Sequence, residues 1–511
     1  MGLLTLAVGT GRAQTTGPAT QPTDPTARTT TRPATTQVAE KGDRLSVTRH
    51  TITVNGKPLA YTATAGTMAQ KDESGATKAD MFFVAYTLDP EEGASATTRP
   101  VTFVFNGGPG AASVWLHLGT AGPKRIKLDE TGIPSAPPFG LVENEATWLD
   151  ATDLVFIDPV GTGYSRPAAG EKGEQFYGVQ EDIRSVGAFI RLWITRNGRW
   201  PSPKFLAGES YGTTRAAGLS EYLLEREGIS LNGIILISAV LNFQTIIPGN
   251  GNDLPYALFL PSYAAAALHH KRVDEALQRD PQATLREVEQ FALGEYQTAL
   301  AKGDSLEAAQ RQAIATRLAR YTGLSAEWID RANLRIDPTR FRKQLLGEQR
   351  KIIGRFDGRI EGFDSDPAND NADYDPSLSL YLPLYTATLS HYVRSELEFE
   401  SDLPYEVLTE RVHPWNFGQR GAGGFLYVAD TLRDTMLKNP QLKLLVAAGT
   451  LDLATPYFAS DYTINHLALP PALRKKVTRT YYPSGHMMYH DAASRRALQE
   501  DISRYIQTSV R

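Results

Sequence analysis

The chain has 511 residues, room for one large domain with an insertion or for two domains, and its 41% hydrophobic and 22% charged content is ordinary for a globular protein. A formal net charge of -4 without a basic stripe argues against a nucleic-acid partner, and the absence of cysteine excludes disulfides, thiolate metal sites and cysteine nucleophiles. No run of about 18 or more apolar residues occurs, so no membrane span is expected.

At the N-terminus, residues 1–8 are a brief apolar run, followed by Gly11-Arg12-Ala13, a small-x-small pattern that fits a signal-peptidase cut before Gln14. The basic residues that usually open such a signal are missing, so the expectation for residues 1–13 is a truncated signal peptide with export to a secreted or periplasmic location; a frayed terminus is the alternative. Residues 14–45, dominated by Thr, Pro and Ala with little to bury, are expected to form a disordered linker.

Globular sequence begins near Ser46. Residues 46–54 and 59–65 read as two strands around Asn55-Gly56, a strong hairpin signal, and 79–88 as a third. Residues 101–105 and 153–158 read as buried strands, 176–195 as a helix with Val179, Ile183, Val186, Phe189, Ile190 and Trp193 on one face, and 234–237 as another buried strand. Strands alternating with helices predict a mainly parallel sheet covered on both faces, with antiparallel strands at its start. The alternation stops over residues 254–415, which carry helical patterns at 285–301 and 305–321; an inserted, mainly helical cap over the sheet's carboxyl edge is expected there, and an independent second domain is the alternative. It resumes with a helix near 425–437, strands at 442–448 and 477–482, and a final amphipathic helix carrying Leu498, Ile502, Tyr505 and Ile506. The core is therefore expected in two parts, 46–253 and 416–511.

Four loops after these strands carry chemistry. Phe205-Leu206-Ala207-Gly208-Glu209-Ser210-Tyr211-Gly212 is an apolar run ending in Gly-x-Ser-x-Gly before a helical segment, the layout that exposes a serine hydroxyl on a sharp strand-to-helix turn, so Ser210 is the candidate nucleophile. Asn106-Gly107-Gly108-Pro109-Gly110 is a glycine-rich loop suited to bringing backbone N–H groups near an oxyanion, with Gly108 and Tyr211 as the natural donors. Gly449-Thr450-Leu451-Asp452 supplies a carboxylate and Ser484-Gly485-His486-Met487 a histidine, in the chain order Ser, Asp, His of an α/β-hydrolase fold. A serine hydroxyl is too weakly acidic to attack alone; His486 takes its proton and Asp452 holds the imidazole in the right tautomer. His490, four residues after His486, invites a metal reading, but Met487 stands where the zincin glutamate would be and no metal is expected. The carboxylate-rich residues 364–375 lack the order of a calcium loop and read as a solvated loop. No cofactor is implied.

Together with Gly122-Pro123 and Asp158-Pro159-Val160-Gly161-Thr162-Gly163-Tyr164-Ser165, these motifs resemble the serine carboxypeptidase family over roughly residues 100–507. The resemblance implies an α/β-hydrolase fold with a helical insertion and removal of C-terminal residues from peptides, usually at acidic pH. It places Ser210, Asp452 and His486 on the family's triad, Gly108 and Tyr211 on its oxyanion donors, and Asn106, Gly107 and Glu209 at the site that holds the substrate's terminal carboxylate. A Glu binds a carboxylate only when the pair shares a proton, so recognition should fade as pH rises.

Three positions depart from the family's pattern. Val104 and Ala111 replace a tryptophan and a cysteine, and Thr120, counted with Asn106, Gly107 and Glu209 as a carboxylate-binding candidate, stands where the family has a second Glu before Gly-Pro. The last change weakens the clamp, for which Trp115, His117 or a cap residue is a candidate substitute. The expected function is a serine carboxypeptidase acting on peptides, with an esterase or acyltransferase on the same scaffold, or a non-catalytic binding protein, as alternatives. The oligomeric state is not readable.

Overall fold

Four strands are apolar or small along nearly their whole length and buried at every position: β4 (Val101–Phe105), β5 (Asp153–Ile157), β6 (Lys204–Glu209) and β7 (Gly233–Ile237). A strand with no exposed face has both of its sides covered, and these four form the centre of the sheet. In the computed structural model, which describes residues 42–89, 96–418 and 423–510, they lie between β1 (Arg44–Val54), β2 (Lys57–Lys71) and β3 (Thr77–Leu88) on one side and β8 (Lys443–Gly449) and β9 (Val477–Tyr482) on the other. The signal peptide expected over 1–13 and most of the expected linker fall outside the described residues.

The strand order is β1-β2-β3-β5-β4-β6-β7-β8-β9, with the two-residue strand Arg166–Pro167 paired to β3. The pairs from β1 to β5 are antiparallel and those from β5 to β9 parallel, as the α/β rhythm predicted. Asn55 and Gly56 both have positive φ, 51° and 77°, which is what a two-residue turn needs to match the twist of β1 and β2. β2 runs six residues past the expected end at Ala65, because β3 offers a paired partner as far as Lys71.

Alternate residues of the central strands feed two cores. Leu154, Phe156, Ile235 and Ile237 point to the face covered by the helices Pro376–Ser395 and Ala492–Ser509. Val155, Ile157, Ile234 and Leu236 point to the other, covered by Val179–Arg196, Tyr211–Glu225 and Ala429–Lys438. The six apolar positions of the periodic 176–195 segment are all buried there.

Between β7 and β8 the helices Leu254–His269, Pro281–Phe291 and Ala308–Thr322 build a third apolar core that includes Leu451 and Leu453 of the loop after β8. The helical stretch expected at 285–301 is interrupted by a π-helical turn, Ala292–Tyr296, and continues as Gln297–Lys302. The helix expected at 425–437 starts only at Ala429, because the backbone of Leu426 to Val428 is bonded instead to Leu241, Asn242 and Phe243.

Candidate active site

Strand β6 ends at Glu209 and the next helix begins at Tyr211, so Ser210 must turn the chain alone. It does so with φ 59° and ψ -129°, a backbone conformation that side-chain-bearing residues rarely adopt and that costs about 1–3 kcal/mol. The flanking glycines make the turn possible: a Cβ at Gly208 would stand 2.2 Å from the Gly212 carbonyl oxygen. The Ser210 N–H is tied to the Ile237 carbonyl at 3.0 Å, which anchors the elbow to β7.

The loop after β4 lies directly against this elbow. A Cβ at Gly107 would come within 2.4 Å of the Tyr211 nitrogen, so only glycine lets the loop approach the first helical N–H. Neither the Gly108 nor the Tyr211 N–H donates to a described protein atom, and both residues line the same cavity as Ser210. Two free donors beside a nucleophile are the arrangement an oxyanion needs.

The loops after β8 and β9 bring Asp452 and His486 together. His486 Nδ1 lies 2.7 Å from Asp452 Oδ2, and both side chains are buried. Asp452 Oδ1 accepts from the Ala454 and Thr455 N–H groups at 2.7 and 3.0 Å, which fixes the carboxylate. Thr455 Oγ1 sits 2.8 Å from Asp452 Oδ2, 3.1 Å from His486 Nδ1 and 3.0 Å from the Ser238 carbonyl, so its single proton serves one acceptor at a time. The His486 backbone is held from both sides: its N–H donates to Phe356 and its carbonyl accepts from Ser238 Oγ. Burial opposes charge on the imidazole, but the Asp452 carboxylate and its hydrogen bond prevail and hold the His486 pKa above the ordinary 6.5, with Glu209 adding to the effect and Arg355 opposing it.

Ser210 and His486 line one cavity of about 160 Å³ with Asn106, Gly107, Gly108, Glu209, Tyr211 and Thr455. Cavities of about 150 Å³ hold a benzene-sized group, so this space admits one side chain. Ser210 Oγ forms no hydrogen bond within the described residues, and Ser210 and His486 are brought together as common lining residues of this cavity. The remaining wall is mostly apolar, with Trp115, Val240, Phe243, Ile246, Phe356, Leu378 and Leu408.

Glu209 is fully buried at the cavity wall. Asn106 Nδ2 donates to its Oε1 at 2.8 Å, while Oε2 has no hydrogen-bond partner. Burial pushes its carboxyl up to about 7; the nearby imidazole and the Tyr489 and Asn106 side chains pull the other way without cancelling that. The Tyr489 hydroxyl lies close enough to act on Glu209 electrostatically, yet neither it nor Oε2 meets hydrogen-bond geometry.

Thr120 is placed differently from the rest. It sits in a π-helical turn, His117–Ala121, fully buried, with its Oγ1 unpartnered and outside the cavity lining. The turn is packed tightly around the neighbouring Gly119, where a Cβ would meet the Tyr489 ring at 2.3 Å. Of the proposed substitutes, Trp115 lines the cavity; His117 does not, being hydrogen-bonded to Tyr86 Oη at 2.6 Å and stacked on Phe156. Thr455, Arg355, Phe356 and Tyr489 were not singled out from the sequence.

The sequence profile of the family described as serine carboxypeptidase matches residues 57–490. The chain belongs to the serine carboxypeptidase family. Within it, serine carboxypeptidase-like 36 of Arabidopsis thaliana is 28% identical over 169 residues, 32% of this chain and 31% of the relative. The pheromone-processing carboxypeptidase KEX1 of Saccharomyces cerevisiae is 26% identical over 212 residues, 40% of this chain and 27% of the relative. These alignments thus span about a third or less of each relative's own length. The crystal structure of KEX1(DELTA)p, a prohormone-processing carboxypeptidase from Saccharomyces cerevisiae, aligns with a TM-score of 0.55 at 17% identity, covering 88% of this chain and 91% of that one, and shares the α/β-hydrolase fold.

Proposed function

We propose that this protein is a serine-type carboxypeptidase in which Ser210, His486 and Asp452 are the triad, Gly108 and Tyr211 the oxyanion donors, and Asn106, Gly107 and Glu209 the receptor for the substrate's terminal carboxylate. Ser210 Oγ attacks the scissile carbonyl carbon and its proton passes to His486 Nε2. The oxyanion is met by the two free N–H groups. The C–N bond breaks as His486 gives that proton to the leaving amine, and the acyl group stays on Ser210 as an ester. Water then attacks the ester, loses a proton to His486, and Ser210 is regenerated.

The observation that carries the peptidase reading is the carboxyl of Glu209, neutral up to about pH 7 and lining the cavity beside the nucleophile. A neutral carboxyl donates a hydrogen bond to a carboxylate; an ionised one repels it. Thr120 has no part in this receptor, since its hydroxyl does not reach the cavity. The test is mass spectrometry of a peptide mixture incubated at several pH values with the protein and with Ser210→Ala. Residues should leave one at a time from the C-terminus, and only with the unmodified serine.

The apolar wall and the lack of a second acid favour, as the second reading, an esterase or acyltransferase. A C-terminally blocked peptide and a simple activated ester separate the two: a carboxypeptidase rejects the first. Failure of Ser210 to be labelled by a fluorophosphonate would point instead to a non-catalytic binding protein. We further propose export, from the apolar run at residues 1–8 and the small-x-small pattern after it, and that residues 254–415 form the inserted cap, which supplies Arg355, Phe356, Leu378 and Leu408 to the wall. No helix among the described residues is long and apolar enough to cross a membrane.

A further inference from the structure

The hairpin of Lys351–Ile353 and Glu361–Phe363 presents its turn to the loops that carry Asp452 and His486. Three backbone bonds fasten it there: Gly358 N–H to the Leu451 carbonyl, Leu453 N–H to the Arg355 carbonyl, and His486 N–H to the Phe356 carbonyl. The Arg355 N–H is also occupied, donating to Asp375 Oδ1 at 3.0 Å. With both of its backbone groups tied, Arg355 is held at a fixed place on the cavity wall.

Its side chain has no such partner. The other cations of the hairpin are paired, Arg359 with Asp357 at 2.7 Å and Lys351 with Glu361 at 2.6 Å. Arg355 is exposed and forms no ion pair with a described residue; its guanidinium carbon lies 5.3 Å from the centroid of the Phe356 ring. It is the only Arg or Lys in an otherwise mostly apolar lining, whose other ionisable groups are His486, Glu209 and the Tyr211 phenol. It also stands close enough to His486 to work against the imidazolium that turnover requires. An anion bound beside it would relieve that opposition and gain from a planar donor fork suited to carboxylates.

We propose that Arg355 receives a carboxylate of the substrate and so selects anionic substrates. This rests on the carboxypeptidase reading and deepens it. The carboxylate has two sources, the free C-terminus of the peptide or an acidic side chain flanking the scissile bond, and the assay separates them.

The experiment compares kcat/KM for matched dipeptides in the unmodified protein and in Arg355→Gln, Arg355→Lys and Arg355→Glu. One arm sets each free acid against its C-terminal amide; the other sets Glu against Gln at each residue flanking the bond. The ratio of anionic to neutral substrate should fall about tenfold in Arg355→Gln, fall further in Arg355→Glu and stay close to the original in Arg355→Lys. A fall in the first arm assigns the terminal carboxylate, a fall in the second the side chain. Added salt should shrink the ratio in the unmodified protein and leave it flat in Arg355→Gln, since an exposed charge is screened. If all substrates change by one common factor, or none changes, Arg355 does not read charge and the proposal fails. If no dipeptide is cleaved by the unmodified protein, the peptidase reading fails by itself, and the same ratio is taken between 4-nitrophenyl succinate and 4-nitrophenyl acetate, where an unaltered ratio in Arg355→Gln overturns the proposal separately.

Discussion

Asn106 Nδ2 donates to Glu209 Oε1 at 2.8 Å in the wall of the cavity that also holds Ser210. Asn106 offers a hydrogen bond to Glu209 whether or not the latter is ionised, so in the proposed receptor the proton on Glu209 decides whether the pair attracts or repels a substrate carboxylate. Burial has placed that decision at about pH 7.

The first prediction follows from that proton. KM for peptides with a free C-terminus should rise about tenfold per pH unit above about 7, as Glu209 ionises, whereas neutral esters show no such limb. Glu209→Gln keeps a donor at every pH and should flatten the dependence of KM. Glu209 also raises the His486 pKa, so the same variant should move the acid limb of ester hydrolysis to lower pH. Stability has a matching sign: the folded protein holds the Glu209 proton more tightly than the ordinary value of 4.5 allows, so this residue's contribution is full below about 4.5 and is lost as pH rises to about 7. Urea titrations of the two proteins across that window should diverge at its upper end.

A second prediction concerns Asp452, the acid of the proposed triad. Asp452→Asn leaves the Ala454 and Thr455 N–H bonds to Oδ1 in place but presents an amide to His486 Nδ1, favouring the wrong tautomer; kcat should fall by about 10⁴. Thr455→Val removes a hydroxyl that has an alternative acceptor in Ser238, so its loss should cost about tenfold or less. Ester hydrolysis with a titration of the acid limb measures both.

The proposed triad could be picked out in the sequence because each member follows a strand whose apolar run is visible locally: β6 before Ser210, β8 before Asp452, β9 before His486. Chain order then supplied what spacing does not, since Ser210 and His486 are far apart in sequence. The paired strands around Asn55-Gly56 were equally plain, a turn chemistry that few other dipeptides satisfy. The place of Thr120 away from the cavity lining was not legible, because motif position says which residue replaces another, not which way a π-helical turn will aim it. Arg355 and Phe356 lay hidden in Gly354-Arg355-Phe356-Asp357-Gly358, which carries no motif; they reach the cavity wall only because the hairpin meets the loops after β8 and β9. Tyr489 lies three residues after His486 and belongs to no motif, and only the packing around Gly119 reveals its neighbourhood.

A third prediction tests the proposed oxyanion donors through the loop that abuts them. Gly107→Ala would set a Cβ 2.4 Å from the Tyr211 nitrogen and 2.7 Å from that of Gly212, and backbone atoms cannot swing aside as a flexible side chain does. The loop must retreat, taking the Gly108 N–H with it. The kcat for a neutral ester should drop by about 10², the size of losing one oxyanion donor, while fluorophosphonate labelling of Ser210 slows in parallel. Unaltered turnover would place the oxyanion elsewhere.

The last prediction concerns what holds Asn106 in place. Arg215, buried on the helix that begins at the elbow, donates Nε to Asp182 Oδ2 at 2.7 Å and Nη1 to the Asn106 carbonyl at 2.5 Å. One guanidinium therefore joins the proposed carboxylate receptor to the helix Val179–Arg196, and its central carbon lies over the Phe105 and Tyr211 rings at 5.3 and 5.4 Å from their centroids. Burial presses the Asp182 carboxyl towards its neutral form and the Arg215 charge opposes that, so the pair is held by mutual neutralisation. Arg215→Met fills similar volume but leaves Asp182 without its counter-charge and the Asn106 carbonyl without a donor; urea denaturation near neutral pH should show a loss of about 3–5 kcal/mol. Asp182→Asn combined with Arg215→Met removes both charges and should recover a large part of that loss, because a buried pair is dear to break and cheap to replace. KM for free-carboxylate peptides should stay raised even in the recovered double variant, since the Asn106 carbonyl still lacks its donor. Recovery of stability together with a normal KM would show that Asn106 is positioned by the loop alone.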